Sequence, residues 1–182
     1  MHQYIQNERG NNDEVNHAPI RSDFKGFWQR LIKMKIEINF IKKNGILAIA
    51  PFYKNGFMSV IITEQGSLYS KIAVDKIMEQ LSVMNGATLT GRIQASRIAT
   101  GYIKRPPIMI SPKGIFALQL QAVECQGTVW LFNLNFYTKV ISKSVTEIHF
   151  ACGYSQQVRA SEKMIMMYRL RLFELQNYFC NA

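Results

Sequence analysis

Two stretches of sequence decide the fold: residues 115–121 read IFALQLQ, and residues 128–141 read TVWLFNLNFYTKVI. In the second stretch, large apolar side chains recur at every other position, at Trp130, Phe132, Leu134 and Phe136. A period of two places these side chains on one face of an extended chain. Both stretches are therefore predicted to form half-buried β-strands.

Further strands are predicted before and after these two. The runs GILAIAPFY (45–53) and FMSVIIT (57–63) flank the turn-prone Lys54-Asn55-Gly56, which predicts a β-hairpin. Residues 36–40, IEINF, alternate in the same way, and a short strand at 108–110 precedes a tight turn at 111–114. TEIHFAC (146–152) is predicted to be the last strand.

Helices are predicted at four places. An amphipathic pattern covers residues 24–34, and a second helix, capped by Ser70, carries Val74, Ile77, Met78, Leu81 and Met84 and ends at Asn85-Gly86. A short helix after Thr90 is favoured over a strand, and the last helix begins at about Gln156. Its apolar stripe, from Met164 to Phe179, is predicted to pack on the sheet or on a second subunit. The fold class is α+β: a mostly antiparallel sheet with packed helices and a C-terminal helix.

The chain of 182 residues is predicted to contain a flexible leader, 1–23, followed by a single domain, 24–182. The leader is poor in aliphatic residues and has four acidic against two basic side chains. No run reaches the roughly 18 apolar residues that a membrane span needs, and the leader has no apolar signal-peptide core. A cytoplasmic protein is therefore expected.

Positive charge is concentrated in the middle of the chain, which has a net charge of +10. No acidic residue occurs between Glu79 and Glu124, whereas five basic residues do: Arg92, Arg97, Lys104, Arg105 and Lys113. Such an acid-free interval favours a polyanionic partner, because basic side chains placed against phosphates release condensed counterions. The five residues are the candidate contacts to such a partner, and the rigid Pro106-Pro107 is expected to fix the backbone before it.

Residue patterns that support catalysis are missing. Of the three histidines, His2 and His17 lie in the leader, and His149 lies in a strand pattern without an obvious carboxylate or cysteine at short range. Cys125, Cys152 and Cys180 are spaced too widely for a zinc motif or a disulfide framework and are expected to be reduced. No phosphate-binding glycine fingerprint occurs. The sequence predicts no metal, no cofactor and no enzyme.

A family resemblance becomes visible in the same basic region. Residues 86–92, GATLTGR, followed by 104–112, KRPPIMISP, resemble the core signature of the ComK proteins. Residues 114–118 and the stretch from Cys125 to Trp130 are similar to the aromatic strand and the Cys-x-Trp region of that family. Two features differ: 119–121 reads QLQ where the family commonly has Phe-Pro-Thr, and Cys125 is spaced more widely from Trp130 than is usual in the family. The chain also ends soon after the last helix, without the longer tail of some relatives.

The resemblance implies a cytoplasmic, nucleoid-associated activator of DNA-uptake genes. Such a protein binds A·T-rich boxes in double-stranded promoter DNA, largely through the minor groove, as a homo-oligomer (dimer or tetramer). It also implies RNA polymerase and a proteolytic adaptor as partners. The alternative from the residues alone is a basic interaction domain that docks an acidic protein or an anionic surface without DNA specificity. An RNA-binding module is disfavoured because no stacking motif of the RNA-recognition kind is visible.

Overall fold

A computed structural model describes residues 37–41, 44–111, 113–132 and 134–180. Nine strands and three helices follow the short helical stretch at 37–41, in the order β1 (Ile46–Pro51), β2 (Ser59–Thr63), β3 (Gly66–Ser70), α1 (Val74–Val83), α2 (Leu89–Thr100), β4 (Ile108–Ser111), β5 (Ile115–Gln121), β6 (Thr128–Leu131), β7 (Phe136–Ser142), β8 (Val145–Phe150), β9 (Ser155–Val158) and α3 (Glu162–Cys180). The predicted helix at 24–34 and the leader at 1–23 lie outside the described residues.

The strands form two sheets. Six strands pair in the order β3-β2-β1-β6-β5-β4, and three pair in the order β7-β8-β9. Every pairing between these strands is antiparallel, which confirms the predicted α+β class. The predicted hairpin is also confirmed: β1 and β2 are joined by a turn in which Asn55 and Gly56 adopt φ values of 54° and 75°. Asn and Gly tolerate this left-handed conformation better than other residues.

The six-stranded sheet is buried on both faces, because successive residues of its central strands point to opposite sides. Ile49, Ile61 and Trp130 pack with α1 and the 37–41 stretch on one face. On the other face, Val60 and Leu131 pack with the three-stranded sheet and α3. Central strands that are covered on both sides read as continuous apolar runs, as SVIIT does.

Two predictions for the first half of the domain are wrong. Residues 37–41 are helical rather than extended, and Ile38 and Ile41 are buried three residues apart on one side of the turn. Ser70 lies at the end of β3, a strand that the sequence did not indicate, and its hydroxyl donates to Glu37 Oε1 at 2.8 Å. The N-cap of α1 is instead Ala73, which makes no side-chain capping bond. The Ser70 hydroxyl, which was expected to cap the helix, instead donates a hydrogen bond to a buried carboxylate.

Two predictions for the second half also change. The run at 128–141 is split between β6 and β7, which belong to different sheets, so its alternation does not describe one strand. The last helix begins at Glu162 rather than near Gln156. Residues 155–158 form β9, where Gln156 and Val158 are buried opposite Ile148 and Thr146 of β8. Pairing with a neighbouring strand has overridden the helical pattern there.

The ambiguous glycine-rich segment is helical, as favoured from the sequence. α2 begins at Leu89, and the hydroxyl of its N-cap, Thr88, accepts a hydrogen bond from the Gly91 amide at 3.0 Å. It ends at Gly101, whose φ of 72° is left-handed and suits the C-terminal cap of a helix. Among the described residues, no helix is long and apolar enough to cross a membrane.

Candidate nucleic-acid interface

The C-terminal half of α2 and the loop after it form one compact segment, residues 96–107, which we call the α2 knob. The Gly101 amide donates to the Arg97 carbonyl at 2.8 Å and closes the helix. The Arg97 side chain then turns back, and its Nε donates to the Ile103 carbonyl at 3.2 Å. These two bonds fold the loop against the end of the helix.

The base of the knob is fastened to the six-stranded sheet. Pro106 and Pro107 are buried, and their carbonyls accept hydrogen bonds from Gln119 Nε2 at 3.1 Å and from the buried Ser96 hydroxyl, respectively. Arg105 has a φ of 47°, a left-handed conformation that is rare for arginine, and its guanidinium donates to Gln121 Oε1 at 3.3 Å. The diproline thus anchors the knob, as its rigidity suggested.

One aromatic side chain connects the knob to α3. The Tyr102 hydroxyl donates to Glu174 Oε2 at 2.5 Å, and the Arg171 guanidinium lies over the Tyr102 ring at 4.2 Å. The hydrogen bond to Glu174, together with desolvation and the charge of Glu174, raises the pKa of the Tyr102 phenol, and the charge of Arg171 partly opposes this. The fold therefore adds the cation Arg171 beside the knob. No sequence pattern indicated this, because the two residues are far apart in the chain.

The tip of the knob carries both charge and apolar surface. Arg97 and Lys104 are exposed. Beside them, Ile98 and Ile103 are 78% and 76% exposed, the highest values for large apolar side chains in the described part of the chain. The two isoleucines were not among the candidates from the sequence, because an isoleucine in an amphipathic pattern is normally assigned to the core.

The other candidate cations lie in different surroundings. Arg92 is half-buried in α2, its guanidinium donates to the Asn85 carbonyl, and its Nε is buried without a hydrogen-bond partner. Lys113 is exposed in the β4–β5 turn, at the opposite end of β4 from the knob. At roughly 3.3 Å per residue, the four residues of β4 separate the two places by about 13 Å. The structure thus brings Arg97, Lys104 and Arg105 together and sets Arg92 and Lys113 apart.

Lys113 also borders a groove of about 1010 Å³ between the end of α1, the β4–β5 turn and α3. Its walls include Leu81, Ile110, Phe132 and Leu172, and Lys113 is the charged residue among its described lining. An apolar groove with a single cation offers no acid–base pair for catalysis.

Chemically reactive groups are scattered in the described ranges. No three His, Cys, Asp or Glu side chains there are grouped to hold a metal ion. His149 does have a carboxylate partner, contrary to the expectation from the sequence: its Nε2 lies 2.9 Å from Glu147 Oε2, and its ring stacks on Tyr137 at 4.8 Å. Cys125 and Cys152 are free thiols, and burial raises the pKa of Cys125, with a further contribution from Glu124.

The outward side of α3 is a second apolar surface, separate from the side that packs on the sheet. Ile165, Tyr168, Leu172 and Leu175 face the core. The opposite side exposes five large apolar side chains, which we call the α3 outer face: Met166, Met167, Leu170, Phe173 and Tyr178. At 100° per residue these five fall within about 140° around Leu170, so they form one continuous strip.

Comparison with known proteins gives one match. The family model described as ComK protein matches residues 37–179, which is most of the chain and includes the α2 knob and α3. No curated protein matches the chain, and no solved structure does. The match extends well beyond the motifs at 86–92 and 104–112 in which the resemblance was first visible. The chain therefore belongs to the ComK family, a family of competence transcription factors.

Proposed function

We propose that the protein is a sequence-specific activator of DNA-uptake genes that binds A·T-rich promoter boxes through the minor groove as an oligomer. The observation that carries this proposal is the α2 knob. It presents Arg97 and Lys104 to solvent on a base held by hydrogen bonds to Pro106 and Pro107. No acidic residue occurs between Glu79 and Glu124, so the segment adds no repulsion toward phosphates.

Exposed arginine and lysine side chains on a fixed backbone suit the minor groove of A·T tracts. The groove is about 6 Å wide in ordinary B-form DNA and narrower over A-tracts, where its negative potential is stronger. Arginine and lysine side chains inserted there recognise the shape of the groove rather than the pattern of base edges. The fixed backbone reduces the conformational entropy that the loop would lose on binding.

The candidate residues divide into two roles under this proposal. Arg97 and Lys104 contact DNA directly. Arg92 and Arg105 hold the knob in place through Asn85 and Gln121, because both are half-buried, whereas Arg97 stays exposed although its Nε binds the Ile103 carbonyl. Lys113, about 13 Å away across β4, contacts a more distant phosphate.

The α3 outer face supports the oligomeric part of the proposal. A strip of five exposed apolar side chains on a surface helix is more than a soluble monomer normally leaves in water. The exposed side chains of Lys163 and Glu174 lie on the same side of the helix, 11 residues apart. The midpoint between them along the helix falls between Tyr168 and Arg169. An antiparallel pair of helices related by a twofold axis through that point would place Lys163 of each copy against Glu174 of the other.

The same symmetry makes the apolar centre self-complementary. With the twofold axis in this position, Met167 of one copy faces Leu170 of the other, and the contact occurs twice. Opposite charges at the ends and apolar contacts in the middle favour a second copy of this chain as the occupant of the α3 outer face. Two copies would present two knobs, as paired DNA boxes require.

RNA polymerase and a proteolytic adaptor are carried over from the family resemblance as proposed partners, and the nucleoid as the proposed location. Neither partner can be assigned to a described surface. They therefore stay predictions.

The test is a titration of the full chain with duplexes that differ in composition but not in length. We expect duplexes with paired A·T boxes to bind at least about tenfold more tightly than G·C-rich duplexes at the same moderate salt concentration. Fluorescence anisotropy measures the affinity, and varied box spacing measures the geometry of the oligomer. Equal, weak binding of both duplexes would contradict the proposal and favour a basic domain that docks an acidic partner.

A further inference from the structure

Two isoleucines at the tip of the α2 knob have no role in the fold. Ile98 and Ile103 are 78% and 76% exposed, so neither contributes to either core cluster. Both belong to the segment that the Arg97 side chain folds back on itself, because Arg97, next to Ile98, binds the Ile103 carbonyl at 3.2 Å. Single exposed apolar residues are common on protein surfaces, but two that are more than three-quarters exposed within one hydrogen-bonded segment indicate an interaction surface.

The charged residues beside these two side chains indicate the kind of surface that they fit. Arg97 precedes Ile98 and Lys104 follows Ile103, and both cations are exposed. If two knobs met each other, the same positive charges would face across the contact and repel. An apolar pair between two cations suits a partner that has negative charge on either side of an apolar slot, and DNA has this arrangement: phosphates on either side of stacked bases.

We propose that Ile98 and Ile103 form a wedge that enters the minor groove and partly separates two stacked base pairs while Arg97 and Lys104 hold the flanking phosphates. The wedge rests on the proposed DNA-binding function and gives it a mechanism of deformation. Apolar side chains used in this way unstack a base step and bend the duplex by roughly 20–90° toward the major groove.

The mechanical properties of the knob suit a wedge. Isoleucine is branched at Cβ and has few χ1 rotamers, so it stays extended at small entropic cost. The Ser96 and Gln119 hydrogen bonds to the diproline resist displacement of the knob when it is pushed against the bases. A flexible loop with the same residues would instead be displaced by the bases.

Insertion would also affect which A·T boxes are chosen. Unstacking a base step is costly, and the cost is lowest at flexible pyrimidine–purine steps such as TA. Rigid runs of A resist it. The wedge therefore predicts that a box in which A-tracts flank a central TA step is preferred over an uninterrupted A-run of equal length, because the tracts keep the narrow groove for the cations and the TA step admits the isoleucines.

The experiment uses the full chain and a duplex with a box containing a central TA step. Fluorescence transfer between dyes at the two ends reports bending, and 2-aminopurine placed at the step reports unstacking. The wild type is expected to bend the duplex and raise the 2-aminopurine fluorescence. The double variant Ile98→Ala/Ile103→Ala is expected to lose both signals and about tenfold in affinity, with an unchanged salt dependence, because its phosphate contacts remain.

Two further variants make the result specific. Val83→Ala removes a comparably exposed apolar side chain from α1, where Val83 is 48% exposed, and should bend and unstack DNA as the wild type does. Ile98→Met/Ile103→Met keeps apolar bulk and should retain most of the 2-aminopurine signal. Since all these side chains are exposed, the variants are expected to fold, and thermal melting verifies it.

The outcomes separate the wedge from DNA binding itself. Tight, A·T-selective binding of the wild type without bending or unstacking overturns the wedge and leaves the proposed function standing. Full bending by the Ile98→Ala/Ile103→Ala variant overturns the wedge as well. Absence of A·T-selective binding by the wild type overturns both proposals together.

Discussion

The α2 knob and the α3 outer face both leave large apolar side chains in water, but the two surfaces differ in their charged neighbours. On the knob, Ile98 and Ile103 lie between two cations, in a segment without acidic residues. On α3, the apolar strip around Leu170 has an exposed cation, Lys163, toward one end and an exposed anion, Glu174, toward the other.

The difference shows that apolar exposure alone does not identify a partner. A surface of one sign of charge cannot pair with a copy of itself, whereas a surface with both signs, placed symmetrically, can. We therefore assign the knob to DNA and the α3 outer face to a second copy of the chain. The following changes are designed to affect one surface without the other.

The largest effect is expected from Leu170→Glu at the centre of the α3 outer face. The change places two like charges near the twofold axis, at the point where the apolar contact would be densest. The dissociation constant of the dimer should rise at least about a hundredfold, as measured by analytical ultracentrifugation without DNA. Binding of a single box should be retained, and only binding of paired boxes should weaken.

Val83→Glu is the matched control for Leu170→Glu, since it puts the same charge at an exposed apolar position on another helix. It should leave the sedimentation of the protein unchanged. If Leu170→Glu sedimented like the wild type, the α3 outer face would not be the subunit contact, and the proposed division between the two surfaces would fail.

An intermediate effect is expected when the two arginines of α2 are compared. Arg97→Ala should remove about one unit from the slope of log affinity against log salt and lower the affinity roughly fivefold at moderate salt. Arg92→Ala should leave the slope unchanged and instead lower the free energy of unfolding by about 1 kcal/mol, because it loses the bond to the Asn85 carbonyl.

Salt-dependent anisotropy titrations and urea unfolding of the two variants measure these quantities. Lys76→Ala, an exposed lysine on α1, is the control for removing a positive charge elsewhere. Equal loss of salt slope in Arg92→Ala and Arg97→Ala would contradict the division of roles between them.

The smallest effect is expected from Tyr102→Phe, which removes the hydrogen bond between the knob and Glu174 but leaves the two isoleucines, the exposed cations and the apolar side chains of the α3 outer face in place. DNA affinity and self-association should each change within about twofold. In the wild type the pKa of Tyr102 is raised above its ordinary value of 10.0, so the bond to Glu174 is intact at neutral pH and is lost as the pH rises through the raised pKa.

Comparing the alkaline titration of tyrosine absorbance in the wild type and in Tyr102→Phe tests this pKa. The difference between the two curves should correspond to one phenol that ionises at a higher pH than a free tyrosine does. A larger effect of Tyr102→Phe on DNA binding than of Arg97→Ala would show that the two surfaces are coupled through Glu174.

The elements that could be predicted from sequence are those whose pattern is local. The β1–β2 hairpin depends on Asn55-Gly56 and two flanking apolar runs, and α2 depends on Thr88 and Gly101, its caps. The acid-free interval likewise pointed to the segment that forms the knob. In these cases the deciding residues lie within the element itself or in the turn beside it.

The elements that could not be predicted depend on contacts with residues that lie outside the element itself. The Ser70 hydroxyl binds Glu37, 33 residues before it, and β9 exists because Val158 pairs with Thr146 across the smaller sheet. The exposure of Ile98 and Ile103 is likewise set by how the diproline anchors to Gln119 and Ser96. A single sequence contains no local trace of these contacts.

The six-stranded sheet with two buried faces also has a consequence for how the protein loses its structure. β1, β2, β5 and β6 each contribute side chains to both core clusters. Neither cluster can unfold while the other stays folded, because the same strands would have to remain ordered for one cluster and unfold with the other. Such sharing of strands makes the domain a single cooperative unit, in which damage to either side of the sheet lowers the stability of the whole.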